Sequence, residues 1–305
     1  MNALQKIKAN KFWIARVVFA ALLITFVFKN FAIIPTIQNA KFDMVYLLLS
    51  GIFYTTALLI VSSRWNFMVK RITGACIPFA FAAKVFIGTL FVSDFTPARA
   101  GDLGRAVLLK RGYEVPLANG TLSVIIDRLN DLIFLSLFSI IGCLLLLTTI
   151  DETFFLIPLL VIILSLSVLI TLKPQLLSFP LKFFGRFLPG LNQNIEIRRY
   201  NLQIPIVLTA VSWIFHSLCV WAVFASLGFS VNPALLFLIL PLIRMSALIP
   251  VTVAGLGVFE LFATFVYHEV FYIPVGICAT IAILERIITT GVHVAGALIY
   301  CLTLR

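Results

Sequence analysis

Charged residues are scarce in this chain of 305 residues. They make up 11% of the sequence, against about 25% in an average soluble domain, whereas hydrophobic residues make up 62%. The mean hydropathy is +1.12. Because no water-soluble fold buries so much hydrocarbon, the composition excludes an ordinary soluble protein and predicts a protein that crosses a membrane several times.

Other features are missing as well. No polar stretch reaches about 50 residues, the lower size of an independent domain, so we expect no separate soluble catalytic domain. The five cysteines stand singly inside apolar segments, without the spacing of a metal site or of a disulfide framework. We interpret them as buried hydrophobic side chains. Since the sequence also contains no Walker motif and no nucleophile triad, we expect no catalytic residues, no metal and no other cofactor.

The charges that are present are mostly basic: 23 Lys and Arg stand against 12 Asp and Glu, a net charge of +11. Long apolar runs separate the basic residues, so membrane orientation explains the excess better than nucleic-acid binding. Lys6, Lys8 and Lys11 precede the first run and Arg305 follows the last, which predicts a cell-membrane protein with both termini in the cytoplasm. We interpret the basic segment 64–71 as a cytoplasmic loop.

The apolar runs predict an all-α transmembrane bundle. A complete span needs roughly 20 apolar residues, and six runs are long enough. Two other apolar segments, 72–91 and 233–249, end in breaks rich in proline and glycine. We therefore predict two re-entrant hairpins of opposite orientation beside about six full spans. The predicted full spans are 12–34, 43–62, 121–149, 154–172, 204–227 and 273–302.

The two breaks resemble each other and predict an inverted repeat. Each is followed about thirty residues later by an acid–arginine pair inside an apolar helix, so the single domain 1–305 divides into halves 43–172 and 204–303. Interrupted hydrophobic segments at matching positions of two halves point to the site of a transporter. Their helix ends would offer backbone N–H groups to an anion. The residues of this predicted anion nest are Pro97, Gly101, Gly104, Pro250, Gly255 and Gly257.

Twelve charged side chains lie at the predicted membrane depth or beside the breaks. An ionised side chain at the bilayer centre costs about 2.5–3.5 kcal/mol, so each needs a partner or a wet cavity. Six are basic and six acidic, so the set can neutralise itself. They are Lys84, Arg99, Arg105, Arg128, Arg244, Arg286, Asp94, Asp102, Asp127, Asp131, Glu260 and Glu285.

Nine of these side chains are predicted to bind a lipid head group, because arginine grips phosphate oxygens in pairs and a carboxylate can orient it. Alternatively, such pairs simply hold helices together. We interpret Lys84 and Arg244 as snorkelling or structural, and the isolated His216, His268 and His293 as packing or interface residues. The predicted binding residues are Arg99, Asp102, Arg105, Asp127, Arg128, Asp131, Glu260, Glu285 and Arg286.

Four motifs resemble the lysylphosphatidylglycerol synthase transmembrane region, or flippase-like, family. They are PARAGDLGR at 97–105, DRLND at 127–131, PVTVAGLGVFE at 250–260 and ER at 285–286. The resemblance implies a bacterial or archaeal membrane protein that translocates a lipid between leaflets. In two-domain members this region carries an aminoacylated phospholipid outward after a cytosolic synthase domain has made it, and other members accompany glycosyltransferase or hopanoid-type lipid pathways.

This chain ends at Arg305 without a synthase domain, so we do not expect lysyl transfer. We expect translocation of a phospholipid, anionic or aminoacylated, or of a polyprenyl-linked precursor, with no nucleic acid as partner. Two alternatives remain open at this stage. One is an intramembrane transferase acting on polyprenyl phosphate or another lipid, and the other is a non-catalytic membrane partner of a separate synthase or glycosyltransferase.

Overall fold

The computed structural model describes residues 3–31, 33–147, 203–247, 252 and 255–303. These ranges are almost entirely helical and contain no strand, which confirms the all-α prediction. The predicted span 154–172 lies outside the described residues. The helices are α1 (Ala3–Asn30), α2 (Ile33–Asn39), α3 (Met44–Thr73), α4 (Phe79–Phe95), α5 (Gly104–Tyr113), α6 (Leu117–Leu147), α7 (Gln203–Ser226), α8 (Pro233–Ser246), α9 (Val258–Phe271) and α10 (Val275–Leu302).

Three described helices are long and apolar enough to cross a membrane, namely α3, α7 and α10. Their predicted boundaries agree with the structure except at one end: α3 continues eleven residues past the predicted end of its span at residue 62 and stops at Thr73. Gly74 ends the helix in the left-handed conformation, with φ of 72°, and its N–H donates to Lys70 O. The predicted number of full spans and the re-entrant paths stay predictions.

Large apolar side chains cover the outer faces of these long helices. On α3, Met44 and Leu48 are exposed, and on α10, Leu298 and Leu302 are exposed. A row of exposed leucine and methionine side chains is unfavourable in water and favourable against lipid. The outer surface therefore fits a hydrocarbon solvent.

The helix order in 44–147 repeats in 203–302: a long helix, a shorter one, a break, a second short helix and a long helix. Packing follows the same correspondence. The first helices of the halves, α3 and α7, pack on each other, and each half packs its second helix on the fourth of the other, α4 on α10 and α8 on α6. Such reciprocal contacts are typical of two units related by a two-fold axis, and they support the predicted repeat.

Both breaks lie where sequence analysis predicts them. Between α4 and α5 the chain forms a 3₁₀ helix, Pro97–Leu103, preceded by Thr96 in an extended conformation. A Cβ on Gly101 would lie 2.6 Å from Ser93 N, so only glycine lets this segment pack on the end of α4. In the second break, a Cβ on Gly255 would lie 2.7 Å from Ala247 Cα at the end of α8. Each break thus folds back on the helix before it.

Candidate functional site

Six charged side chains from α3, the 3₁₀ helix, α5 and α6 form a continuous network of ion pairs, mostly buried, which we call the α6 cluster. Three are basic and three acidic, so the cluster has no net charge. Five of its members are predicted site residues, and the sixth, Arg64, is not. The members are Arg64, Asp102, Arg105, Asp127, Arg128 and Asp131.

Arg64 joins the two aspartates of α6. Its Nε donates to Asp127 Oδ1 at 2.9 Å, and its Nη1 donates to Asp131 Oδ1 at 2.6 Å. Nη1 also donates to the hydroxyl of Thr209 on α7 at 2.7 Å. Arg64 belongs to α3 and its side chain is 0% exposed, so its assignment to a loop beyond the span is wrong. The one-turn spacing of Asp127 and Asp131 places both on one face of α6, and a single guanidinium reaches both.

Asp102 lies between two guanidinium groups. Arg128 Nε is 2.7 Å from Oδ2, and Arg105 Nη2, three residues along the chain from Asp102, is 3.5 Å from Oδ1. Ser93 on α4 donates its hydroxyl to Oδ1 at 2.7 Å. The break therefore delivers one carboxylate to two arginines from different helices.

Aromatic rings form the wall behind Arg105. Its guanidinium lies 4.5 Å from the ring centre of Phe86 and 5.4 Å from that of Trp65, within cation–π range. The indole N–H of Trp65 donates to Ser123 Oγ at 3.3 Å, and Trp65 is fully buried. The aromatic wall keeps Arg105 away from solvent and fixes it against Asp127, whose Oδ2 lies 3.0 Å from Nη1.

Three buried arginine nitrogens in this cluster form no well-aligned hydrogen bond with a described residue: Nε and Nη2 of Arg128 and Nη2 of Arg105. Arg128 Nε and Arg105 Nη2 still lie within ion-pair distance of Asp102. The two arginines differ in access, because the Arg128 side chain is 26% exposed and that of Arg105 is 1% exposed. A buried donor without an acceptor costs about 1–3 kcal/mol, more when it is charged, so this position favours an arriving oxyanion.

A second set of polar side chains surrounds α10, and we call it the α10 cluster. Glu285 Oε1 is in contact with Arg244 Nη2, and its Oε2 accepts a hydrogen bond from the Tyr267 hydroxyl at 3.0 Å. Arg244 also donates to His216 Nε2 at 2.8 Å. The members of the cluster are His216, Arg244, Glu260, Tyr267, Glu285 and Arg286.

Sequence analysis assigned structural roles to two members of the α10 cluster. Arg244 is not snorkelling, because it pairs with the buried Glu285 and lies 4.8 Å from the ring centre of Phe259. His216 is not an isolated packing residue either, because its Nε2 lies 3.7 Å from Glu285 Oε1. Arg286 lies 4.6 Å from the same Phe259 ring, so one aromatic side chain contacts both arginines.

Glu260 ties the second break to α10. Its Oε1 accepts a hydrogen bond from Arg286 Nε at 2.8 Å, and its Oε2 accepts one from Gly257 N at 2.6 Å. Gly257 has a φ of 84° at the start of α9, a conformation that favours glycine. The Glu260 carboxylate thus caps the N-terminus of α9 and also fixes the position of Arg286, the arginine of the ER motif.

The predicted anion nest has its own partners in several places. Gly257 N donates to Glu260, and Gly101 N donates to Thr96 Oγ1 at 2.8 Å. Gly104 N donates to backbone carbonyls of the 3₁₀ helix. Pro250 lies outside the described residues. Binding of an anion by the backbone of the breaks stays a prediction.

The remaining predicted charges form no ion pair with either cluster among the described residues, although Arg99 lies within electrostatic range of Asp102, and Asp94 within range of Arg286. Arg99 has a φ of 55° and pairs with Asp94, with Nη2 3.3 Å from Oδ1. Asp94 Oδ2 also contacts His293 Nδ1 at 2.5 Å, so His293 is not an isolated packing residue. Lys84 is exposed on α4 and forms no ion pair with either cluster among the described residues, so its predicted role stays a prediction.

Sequence signals for the missed residues are weak. Arg64 follows a run that looks complete at Ser62, and its partner Asp127 is 63 residues away. For His293 the separation from Asp94 is 199 residues. The one available signal is that a charged residue within a turn of an apolar run can still face the bundle interior.

The fold and the clusters define a class: a helical membrane protein whose breaks bring neutral networks of arginine and carboxylate into the bundle. The chain matches the family described as "Lysylphosphatidylglycerol synthase TM region" over residues 13–297. It therefore belongs to that family, which confirms the resemblance of the four motifs.

Two curated relatives come from the archaeon Methanocaldococcus jannaschii. The UPF0104 membrane protein MJ1595 is 24% identical over 271 residues, covering 80% of this chain and 80% of the relative. The UPF0104 membrane protein MJ1078 is 28% identical over 180 residues, covering 56% of this chain and 76% of the relative. Both are described as membrane proteins, in agreement with the apolar helices of this chain.

Proposed function

We propose that the protein translocates a phospholipid or lipid-linked precursor across the cell membrane, with the phosphate of the head group held at the α6 cluster. One observation carries this proposal: Arg105 and Arg128 flank Asp102, and each keeps a buried Nη2 that forms no well-aligned hydrogen bond with the described residues. A phosphate oxygen supplies the missing acceptor, since guanidinium and phosphate form strong charge-assisted hydrogen bonds.

Arg128 is the entry point of the proposed phosphate path. Its side chain is 26% exposed, whereas those of Arg64 and Arg105 are almost fully buried. Asp131 holds Arg128 from one side, with Oδ2 3.3 Å from Nη1, and Asp102 holds it from the other. An incoming phosphate competes with these carboxylates for the Arg128 guanidinium. The competition lowers the affinity for the phosphate, so the head group can bind and also be released.

The repeat supplies a route between leaflets. The α10 cluster presents Arg244 and Arg286 in the second half as the α6 cluster presents Arg105 and Arg128 in the first. In our proposal the head group passes between the two clusters while its tails stay in lipid, as one half rocks against the other. Both termini face the cytoplasm, where a separate synthase or glycosyltransferase supplies the lipid.

The test is translocation of fluorescent phosphatidylglycerol and phosphatidylcholine in liposomes that contain the purified full chain. Arg128→Ala is expected to slow translocation at least tenfold, because a hydrogen bond to a charged group contributes about 1.5–3 kcal/mol. Lys84→Ala is the matched control, since it removes an exposed basic residue of α4 that lies outside both clusters.

Equal rates in wild type and Arg128→Ala would overturn the assignment of the phosphate site. A wild-type protein that moves no labelled lipid, but converts lipid to a new product, would favour the intramembrane transferase instead. A protein that does neither, yet forms a stable complex with a synthase, would favour the non-catalytic partner. Mass spectrometry of co-purified lipid identifies which head group the wild type retains and Arg128→Ala loses.

A further inference from the structure

Asp94, His293 and Tyr54 form a hydrogen-bonded chain that the phosphate path does not use. Asp94 Oδ2 lies 2.5 Å from His293 Nδ1, and His293 Nε2 lies 2.8 Å from the Tyr54 hydroxyl. The three side chains come from α4, α10 and α3, so the chain of bonds crosses from the first half to the second. His293 is 5% exposed and Tyr54 is 8% exposed, whereas the Asp94 side chain is 22% exposed. Asp94 is thus the open end.

The His293 imidazole can form both hydrogen bonds in either its neutral or its protonated state, with no movement of the heavy atoms. With a neutral imidazole, Nδ1–H donates to Asp94 and Nε2 accepts from the Tyr54 hydroxyl. With an imidazolium, both ring N–H groups donate, one to Asp94 and one to the tyrosine oxygen. A proton can therefore bind or leave without loss of either hydrogen bond, and histidine is the side chain whose unperturbed titration lies nearest neutral pH.

The charges around His293 balance in a way that permits both states. Arg99 pairs with the other oxygen of Asp94, so this carboxylate keeps a cation when the imidazole is neutral. On α7, the His216 ring lies 5.3 Å from the Tyr54 ring, and His216 accepts from Arg244 of α8. The ionisable groups of α9 that face α10, Glu260 and Tyr267, are engaged with Arg286 and Glu285. The neighbouring helix α2 carries no ionisable residue.

The position of the chain ties protonation to the packing of the halves. The α4–α10 interface corresponds, in the repeat, to the α8–α6 interface. At the α8–α6 interface the described contacts are apolar. The rings of Phe138 and Phe237 meet edge to face with their centres 5.1 Å apart, and a Cβ on Gly142 would lie 2.9 Å from Leu238 O. Of these two corresponding interfaces, only α4–α10 carries an ionisable pair, Asp94 and His293, among the described residues. Ionisable residues inside a membrane are energetically costly, so their presence points to a function.

We propose that Asp94, His293 and Tyr54 bind the proton that drives lipid translocation, with Asp94 as the entrance. This inference rests on the proposed function, because it names the ion to which translocation is coupled. A proton on His293 strengthens the attraction between α4 and α10 through Asp94, and its loss weakens that attraction. Since each half contributes one side of the contact, proton binding favours one arrangement of the halves over the other.

The experiment measures phosphatidylglycerol translocation in liposomes containing the full chain, with a gradient of one pH unit imposed in either direction. The readout is the ratio of the rate with the gradient to the rate at equal pH. One coupled proton per lipid can shift the distribution between leaflets by up to about tenfold for one pH unit. The wild type is expected to respond oppositely to the two directions, and His293→Gln is expected to lose the response.

His268→Gln is the matched control. His268 is also a histidine near α10, but its Nδ1 contacts Ile273 O at 2.8 Å and it lies outside the hydrogen-bonded chain. This variant is expected to keep the wild-type ratio. Should His293→Gln stop translocation under all conditions, Tyr54→Phe carries the test, because it deletes one hydroxyl, keeps the imidazole and is expected to reduce the response.

The outcomes separate the two proposals. Lipid translocation by the wild type with no response to the gradient overturns the proton site and leaves the proposed function intact. The same holds if both His293→Gln and Tyr54→Phe keep the wild-type ratio. If the wild type translocates neither phosphatidylglycerol nor phosphatidylcholine, the proposed function fails, and the proton site fails with it.

Discussion

The α6 and α10 clusters solve the same problem with different side chains. In both, the acid of an acid–arginine pair is buried, and the arginine of that pair is held by a carboxylate from the nearby break: Asp102 holds Arg128, and Glu260 holds Arg286. The two clusters differ in which residues contact the buried acid. Asp127 contacts two arginines, whereas Glu285 contacts one arginine, a tyrosine and a histidine.

The two clusters differ in the kind of partner that holds the buried acid. Arg64 in the α6 cluster is 0% exposed, and arginine stays charged at any physiological pH. Arg244 in the α10 cluster is 18% exposed and shares its Nη2 between Glu285 and His216. The comparison teaches that the first half surrounds its buried acid with arginines, while the second half combines one arginine with the hydroxyl of Tyr267 and the ring of His216.

The largest expected effect is that of Arg64→Ala. This substitution removes one of the two arginines that each of Asp127 and Asp131 contacts, and breaking a buried ion pair costs about 3–5 kcal/mol. We expect the free energy of unfolding in detergent, measured by denaturant titration, to fall by this amount. Arg71→Ala is the control, because Arg71 is exposed on the same helix. If the two variants were equally stable, the α6 cluster would not be the closed network described above.

A smaller effect is expected from the glycines of the two breaks. Gly255→Ala should cost about 1–3 kcal/mol for overpacking against Ala247 and a further ~1 kcal/mol for a φ of 67°. Gly101→Ala meets Ser93 at a similar distance without a positive φ, so it should cost only the first amount. Gly51→Ala is the control, since a Cβ there meets nothing within 4 Å.

Thermal unfolding in detergent ranks the three glycine variants by their melting temperatures. We expect Gly255→Ala to melt lowest, Gly101→Ala next, and Gly51→Ala at or above the wild type. The reverse order for the two break glycines would mean that the breaks are not equivalent in how tightly they fold back.

An effect similar to that of Gly101→Ala, and smaller than those of Arg64→Ala and Gly255→Ala, is expected from Glu285→Gln. The amide keeps one acceptor for Tyr267 or Arg244 and removes the negative charge, so we expect a loss of about 2 kcal/mol, within the range for hydrogen bonds to charged groups. The loss is smaller than for Arg64→Ala because Arg244 is partly exposed and retains His216. Glu114→Gln, at an exposed glutamate, is the control in the same denaturant titration. An effect as large as that of Arg64→Ala would show that both clusters are equally closed.

Local features of the fold follow from the sequence. Proline and glycine predict both breaks, since Pro97 lacks an N–H and Gly101 packs where no Cβ fits. The three-residue spacing of Asp102 and Arg105 predicts their pairing, because both lie on one turn. These are short-range effects, in which a residue's own chemistry or its nearest neighbours decide the outcome.

Long-range partners do not follow from the sequence. The run before Arg64 reads as a finished span, but α3 continues to Thr73, and the direction of the Arg64 side chain is set by α6. His216 and His293 stand alone in the sequence and acquire partners only when α3, α4 and α8 pack around them. No spacing rule links residues on helices that meet only after the bundle is assembled.

The charge balance of the α6 cluster has an electrical consequence. Three arginines and three aspartates sum to zero, so a bound anionic phosphate leaves the loaded cluster with a negative charge. A zwitterionic head group, or an anionic one that travels with a proton, leaves it neutral. Moving one elementary charge across 100 mV involves about 2.3 kcal/mol. Membrane voltage would therefore drive an unaccompanied anionic lipid, but it would have little effect on a zwitterionic lipid or on an anionic lipid that travels with a proton.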